Sequence, residues 1–243
     1  MGGTFATGDV LHSSPAVANG VGYIGCRDNT LYAVDAADGA ERWRFIRGDW
    51  FNSSPLVADG VVYVGCRDHN VYGIDAATGK MRWRYATGST VDSSPAVQGG
   101  TVWIGSDDHK VYALGAETGD WIWEFLTGDG VVSTPNVVDG ILYVGSYDGK
   151  LYAVDADTGR RRWEYPTGNG IRSSPAVAHG VVYVGSRDSS LYAVDAVSGK
   201  ERWRFETEGS IDDSSPQVAD GLVYVGSLDD RVYAVSATDG PSS

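Results

Sequence analysis

A chain of 243 residues, of which 42% are hydrophobic and 33 are glycine, has the composition of a turn-rich globular protein and not of a disordered one. Its formal net charge of −13 argues against nucleic acid as a partner, because contacts to phosphates need concentrated Lys and Arg side chains. No apolar run approaches the length of a helix that crosses a bilayer, so we expect no membrane insertion.

From the N terminus onward, the sequence is dominated by one motif that recurs every forty residues, with a last step one residue longer. The first ten residues show neither a basic leader nor an apolar core and indicate no compartment. The copies are SSPAV at 13–17, SSPLV at 53–57, SSPAV at 93–97, STPNV at 133–137, SSPAV at 173–177 and SSPQV at 214–218. The sequence therefore predicts six repeats, with the extra residue at Asp212 or Asp213.

Each repeat predicts four short strands. The SSPAV segment is the first, and it ends in a pair such as Asn19-Gly20 that suits a type I′ hairpin turn. The second and third strands, such as 61–65 and 31–35, are almost continuously apolar, which is typical of strands covered on both faces. The fourth, such as 41–45, alternates aromatic and Arg residues.

Four strands cannot bury both of their faces alone, so the repeats must stack on one another. Radial stacking protects most sheet edges and gives a β-propeller. We therefore predict an all-β fold in a single domain, residues 1–243, with six blades of four antiparallel strands each.

The two ends of the chain complement each other in the repeat frame. Phe5 falls at the position of Phe45, whereas the last repeat stops after its third strand. We predict that the ring is closed by the N-terminal strand joining the C-terminal blade, with residues 2–6 pairing with residues 231–235. Because Gly3 stands at the position of Trp43, we also expect Gly3→Trp to stabilise this blade.

The link between the third and fourth strands carries a longer pattern, which in the first repeat comprises Ala33, Asp35, Asp38, Gly39 and Trp43. This pattern resembles the tryptophan-docking motif of the quinoprotein-like (PQQ-like) β-propeller repeats. The resemblance implies that a Trp packs between adjacent blades and that the Asp fixes the connecting turn. The matching residues are Trp43, Trp83, Trp123, Trp163 and Trp203, with Asp35, Asp75, Asp155 and Asp195. The third repeat has Gly115 in place of the Asp, and the sixth has Ser236 there and ends before any Trp.

Other residue patterns that could carry chemistry favour structural roles. His12 lies beside Ser13, but a Ser recurs at the position of Ser13 in every repeat, so it is expected to cap the first strand. His69 and His109 occupy equivalent turns of adjacent repeats and should point in different directions, so no metal site is expected. A recurring Asp, at 28, 68, 108, 148, 188 and 229, is expected to accept backbone hydrogen bonds.

The two cysteines, Cys26 and Cys66, also occupy equivalent positions of adjacent repeats. A whole repeat width should separate them by more than the distance that a disulfide bridges. We predict free, partly buried thiols.

Positions that differ between repeats are the candidates for recognition. The most variable loops precede the first strand, and we assign a binding surface there to Trp50, His12, Asn52, Asp92, Arg172 and Asp212. Phe51 has apolar counterparts in all repeats and is interpreted as core. Trp50 has the counterparts Val10, Thr90, Gly130, Gly170 and Ser210, so it is the residue expected to anchor a partner.

The leading hypothesis is a non-catalytic, monomeric scaffold that binds a protein or peptide through one loop face and needs no cofactor. Because the family includes dehydrogenases that hold pyrroloquinoline quinone (PQQ) and calcium, a reduced dehydrogenase is the alternative. A further alternative is an excised or engineered repeat segment with no function of its own. With 25 Asp residues and only four Lys, the composition resembles proteins of salt-loving organisms, although an ordinary acidic surface explains it equally.

Overall fold

A computed structural model describes residues 3–240, and all regular elements in this range are β-strands. Contacts divide the chain into two compact units, one on each side of the boundary between Glu124 and Phe125. Within the described range, no helix is long and apolar enough to span a membrane.

The first three sheets have four strands each, in the orders β1-β2-β3-β4, β5-β6-β7-β8 and β9-β10-β11-β12. Their strands are β1 (Ala16–Ala18), β2 (Val21–Gly25), β3 (Thr30–Asp35), β4 (Glu41–Ile46), β5 (Leu56–Ala58), β6 (Val61–Cys66), β7 (Asn70–Asp75), β8 (Met81–Ala86), β9 (Ala96–Gln98), β10 (Thr101–Ser106), β11 (Lys110–Gly115) and β12 (Trp121–Leu126).

The next two sheets also have four strands, in the orders β13-β14-β15-β16 and β17-β18-β19-β20, and the sixth has three, in the order β21-β22-β23. Their strands are β13 (Asn136–Val138), β14 (Ile141–Gly145), β15 (Lys150–Asp155), β16 (Arg161–Pro166), β17 (Ala176–Ala178), β18 (Val181–Ser186), β19 (Ser190–Asp195), β20 (Glu201–Glu206), β21 (Gln217–Ala219), β22 (Leu222–Ser227) and β23 (Arg231–Ser236). The predicted all-β class with its antiparallel blades is confirmed.

The hairpin turns form as the sequence predicts. Asn19 and Gly20 have φ angles of 51° and 73°, the positive values that a type I′ turn requires. The first strand of each blade is shorter than predicted, covering Ala16–Ala18 and not 13–17. Pro15 has no N–H to give to a sheet, and the Oγ of Ser13 accepts a hydrogen bond from the N–H of Gly25 at 2.9 Å. The Ser-Ser-Pro segment is therefore a loop fastened to the second strand.

Within each unit, adjacent sheets are joined by the recurring tryptophans. The indole Nε1 of Trp43 donates to the carbonyl of Ala76 at 3.0 Å, and its ring lies against Gly79 of the next sheet. A Cβ at Gly79 would come within 2.7 Å of the Trp43 ring, so only glycine permits this close approach. The same hydrogen bond joins Trp83 to Ala116, Trp163 to Ala196 and Trp203 to Ala237, and Trp123 is also buried.

The thiols of Cys26 and Cys66 are free, as predicted, and both residues are fully buried where partial burial was expected. Burial raises the pKa of the Cys66 thiol. Cys66 therefore behaves as a small core residue.

The pairing of residues 2–6 with residues 231–235 would join the two units and stays a prediction; residue 2 lies outside the described range. Residues 3–15 contain no regular strand. Residues 3–8 instead lie against the first sheet, where Phe5 contacts Tyr32 with ring centroids 5.1 Å apart.

The expected benefit of Gly3→Trp is wrong. A Cβ at Gly3 would lie 1.7 Å from the carbonyl oxygen of Asp38 and 2.5 Å from the backbone nitrogen of Gly39. Backbone atoms cannot move aside as a flexible side chain can, so any side chain at position 3 displaces the segment.

Candidate binding surface

The six residues assigned to the binding surface are divided between the two units. His12, Trp50, Asn52 and Asp92 belong to the first unit, and Arg172 and Asp212 belong to the second. The structure groups Trp50, Asn52 and Asp92 in one cluster and Arg172 and Asp212 in another. His12 is exposed, at the loop position that the sequence indicated.

The loop that carries Trp50 is held by its own backbone. The carbonyl of Trp50 accepts the N–H of Arg67 at 3.0 Å, and the next residue, Phe51, donates its N–H to the carbonyl of Cys26 at 3.2 Å. The Phe51 side chain is fully buried, as its apolar counterparts indicated. Trp50 is therefore presented from a loop that is fixed on both sides.

Two guanidinium groups lie over the Trp50 ring. The Cζ of Arg27 is 4.7 Å and the Cζ of Arg67 is 5.3 Å from the ring centroid, within cation–π range. Trp50 is consequently half-buried and less open than an anchor residue on a free loop. We call Arg27, Trp50, Asn52, Arg67 and Asp92 the Trp50 cluster.

The charges of the Trp50 cluster are only partly balanced. Arg67 forms an ion pair with Asp92, with 3.6 Å between Nε and Oδ1. Arg27 donates from Nε to the amide oxygen of Asn52 at 3.2 Å, and Asn52 in turn donates to Asp92 at 3.2 Å. The cluster thus holds two cationic side chains and one carboxylate, in a chain whose net charge is −13. It is suited to receive a carboxylate beside an aromatic ring.

The second unit carries a related but balanced cluster, formed by Tyr147, Arg172, Arg187, Asp212 and Asp213. Arg187 binds Asp212 through two hydrogen bonds of 2.7 and 3.1 Å, and its guanidinium lies 5.1 Å from the Tyr147 ring centroid. Arg172 forms an ion pair with Asp213, with 3.2 Å between Nη1 and Oδ1. Hydrogen bonds donated to the Asp212 carboxylate raise the pKa of Arg187. Two Arg and two Asp side chains leave no net charge here.

The same contacts locate the one-residue insertion. Arg27 binds Asn52 and Arg187 binds Asp212, and both pairs are 25 residues apart. Asp212 therefore occupies the repeat position of Asn52, and Asp213 is the extra residue.

Sequence reasoning missed Arg27, Arg67 and Arg187, although a signal was present. All three occupy one frame position, just before the recurring Asp, and each lies 25 residues before a variable loop position. A search for charge pairs between consecutive repeats at that spacing would have found them.

The recurring Ser and Asp residues are engaged in the backbone of the repeats. A Ser Oγ accepts the N–H of the Gly twelve residues later in every repeat, as Ser53 does from Gly65 at 3.0 Å. The Oδ2 of Asp68 accepts the hydroxyl of Tyr72 at 2.6 Å, and burial with this bond raises the pKa of Tyr72. Within residues 3–240, no group of three or more His, Cys, Asp or Glu residues is arranged to hold a metal ion.

Many solved structures are similar to this one, including the following three. BamB from Moraxella catarrhalis is 24% identical with a TM-score of 0.64, over 96% of this chain and 87% of that chain. The computationally designed Ika8 protein is 17% identical with a TM-score of 0.84, over 100% and 76%. The quinohemoprotein alcohol dehydrogenase ADHIIG from Pseudomonas putida HK5 is 20% identical with a TM-score of 0.76, over 94% and 52%. At these identities the likeness concerns the fold.

No curated protein matches the chain. A family model described as outer membrane protein assembly factor BamB matches residues 3–94, 67–173 and 166–242. Because these overlapping matches extend from residue 3 to residue 242, the chain belongs to this family of PQQ-like β-propeller repeats.

Proposed function

We propose that the protein is a non-catalytic scaffold that binds a protein or peptide segment at the Trp50 cluster. The observation that carries this proposal is the pair of Arg27 and Arg67 over one Trp ring, with a single carboxylate to balance them. The family membership is consistent with a propeller scaffold.

The chemistry of the cluster indicates the kind of segment. A carboxylate of the partner would accept hydrogen bonds from the Arg27 guanidinium, whose only polar contact in the cluster is the neutral amide of Asn52. An adjacent aromatic side chain would pack on the uncovered part of Trp50. The preferred ligand is therefore a peptide with Asp or Glu next to an aromatic residue.

A library of fluorescent peptides, each with one acidic residue beside one aromatic residue, tests this proposal by fluorescence anisotropy. We expect Trp50→Ala and Arg27→Gln each to weaken the tightest peptide about tenfold or more, which corresponds to about 1.4 kcal/mol. Trp121→Ala is the matched control, because Trp121 is 55% exposed and lies outside the cluster. Equal affinity of the wild type and Trp50→Ala for every peptide would contradict the proposal.

The resemblance also raised a PQQ-dependent dehydrogenase, and two observations support the scaffold over it. A planar quinone that stacked on Trp50 would have to displace the two guanidinium groups that lie over its ring. The described residues also offer no cluster of carboxylates to hold calcium beside it. Saturable binding of PQQ with calcium, together with dye-linked alcohol oxidation, would contradict this assignment.

A further inference from the structure

A groove of about 300 Å³ lies on the first strands of three sheets in the second unit. Its ten lining residues come from β13, β17, β21 and the loops before β17 and β21, and all of them belong to this unit. β17 is the middle strand, because it contacts both β13 and β21. All ten residues are uncharged, and a charge is costly to bury without a partner, so the groove favours an uncharged ligand.

Two side-chain amides flank the middle strand of this groove. Asn136 on β13 and Gln217 on β21 occupy the same repeat position, and Ala176 occupies it on β17 between them. The counterparts in the first unit are apolar, namely Ala16, Leu56 and Ala96. The two amides are therefore departures from the repeat, and the small side chain between them leaves room for a ligand.

The polar side chains of the groove keep hydrogen-bonding capacity for a ligand. The Nδ2 of Asn136 donates to the carbonyl of Pro175 at 3.0 Å, and this bond leaves Oδ1 as an acceptor. The Oγ of Ser174 accepts the N–H of Thr134 at 3.0 Å, and the Oγ of Ser215 accepts the N–H of Ser174 at 3.0 Å. Both hydroxyls act as acceptors in these bonds, so their O–H groups can donate to a ligand.

The backbone of β17 adds a donor and an acceptor to the groove. β17 is an edge strand of its sheet, and its pair Ala178 and Val181 closes a two-residue turn. Such a closing pair is hydrogen-bonded, and hydrogen-bonded pairs alternate with unbonded pairs along an antiparallel ladder. The next pair, Val177 and Val182, is therefore unbonded, and Val177 directs its N–H and C=O away from β18. Val177 also lines the groove.

We infer that this groove binds a short, uncharged peptide segment in an extended conformation, with its backbone paired to Val177. One residue of the segment exchanges N–H and C=O bonds with Val177, as in the addition of a strand to a sheet edge. The amides of Asn136 and Gln217 bind the neighbouring peptide groups of the segment, and the alanine, valine and proline side chains of the lining favour small apolar side chains. The volume is at the lower end of the range for ligand pockets, about 300–1,000 Å³, so the segment is short.

This groove is a different site from the one proposed above. Its residues all lie in the second unit, whereas the Trp50 cluster lies in the first. The ligands also differ, because the Trp50 cluster favours a carboxylate and the groove favours an uncharged segment. Trp50→Ala should consequently leave binding in the groove unchanged, so that the failure of either site can be told from the failure of the other.

Titration of the isotope-labelled protein with acetyl-Ala-Val-Ala-amide, followed by NMR, tests the inference. We expect saturable shifts of the Val177 amide resonance in the millimolar range of peptide. Asn136→Ala and Gln217→Ala should each weaken binding about three- to tenfold, the effect of losing one hydrogen bond. Both variants should fold, because alanine is the residue of the first, third and fifth repeats at this position. Gln98→Ala is the matched control, since it removes an exposed amide from β9, outside the groove.

Three further peptides, each methylated on one backbone nitrogen, test the pairing with Val177. Methylation removes the N–H donor, so one of the three should bind at least about tenfold more weakly than the parent peptide. Equal affinity of all four peptides would overturn the backbone pairing. The absence of saturable shifts, or affinity that both alanine variants leave unchanged, would overturn the site. Sorbitol that shifts the same resonances where the peptide shifts none would show that the ligand is a polyol and that the peptide is wrong.

Discussion

Gly185 and Gly226 occupy the same repeat position in two different environments, so the effect of one substitution can be compared between them. In Gly185→Ala, the new Cβ would stand 2.0 Å from Cγ2 and 2.9 Å from Cβ of Ile211, well inside van der Waals contact. In Gly226→Ala, the nearest atom is 3.3 Å away, so the methyl group fits with little movement. Gly185 and Gly226 are the penultimate residues of equivalent strands, and neither has a positive φ angle. Replacing either glycine by alanine should therefore have the same effect on backbone entropy.

Overpacking of a core costs about 1–3 kcal/mol, whereas replacing Gly by Ala at a compatible site gains about 0.4–1 kcal/mol through the unfolded chain. We therefore expect Gly185→Ala to lower the free energy of unfolding by about 1–2 kcal/mol and Gly226→Ala to leave it unchanged or slightly higher. Urea denaturation of the two variants, followed by circular dichroism, measures the difference.

A double-mutant cycle with Ile211→Ala identifies the cause. Ile211→Ala alone should cost about 2–5 kcal/mol as a cavity, and combining it with Gly185→Ala should cost less than the sum because the Cγ2 clash is gone. Equal stabilities of Gly185→Ala and Gly226→Ala, or strict additivity in the cycle, would refute the close packing of Ile211 on Gly185.

Three further predictions concern pH, salt and thiol chemistry. Hydrogen bonds from Arg82 hold the pKa of Asp75 at about 2, and those from Thr158 and Arg162 do the same for Asp155. Folded-state pKa values below the ordinary value stabilise the fold above pH ~4, so the melting temperature should fall between about pH 4 and pH 2, and a flat profile there would contradict these pairings. The charge of −13 repels itself in the compact state, so the melting temperature should rise from low to molar NaCl; a fall would show that the repulsion is unimportant. Cys66 should resist iodoacetamide in the native protein and react in urea, as mass spectrometry of the labelled peptide would show; rapid native labelling would contradict its burial.

The forty-residue repeat could be predicted from the sequence because each of its motifs depends on local chemistry. The type I′ turns need Asn-Gly or Asp-Gly pairs, and the structure gives Asn19 and Gly20 the positive φ angles that these pairs permit. The length of the first strand was overestimated because the Oγ of Ser13 accepts a hydrogen bond from the N–H of Gly25, which lies twelve residues away in the sequence.

The site was predicted less completely because its partners lie far from Trp50 along the chain. Trp50 stood out as a departure from the repeat, but Arg27 and Arg67 reach it from turns 23 residues before and 17 residues after it. Pattern reading within one repeat does not connect them. The N-terminal segment was placed correctly in the repeat frame, and the structure shows its contacts with Tyr32 and Asp28 of the first sheet.

The most direct test of the account is calorimetric titration of the tightest acidic-aromatic peptide into the wild type and Arg27→Gln. Arg84→Gln is the matched control, because Arg84 is exposed on β8 outside the Trp50 cluster. The account predicts about tenfold weaker binding for Arg27→Gln, unchanged binding for Arg84→Gln, and equal melting temperatures for all three proteins. Binding that Arg27→Gln leaves intact, or that Arg84→Gln weakens equally, would contradict recognition at the Trp50 cluster.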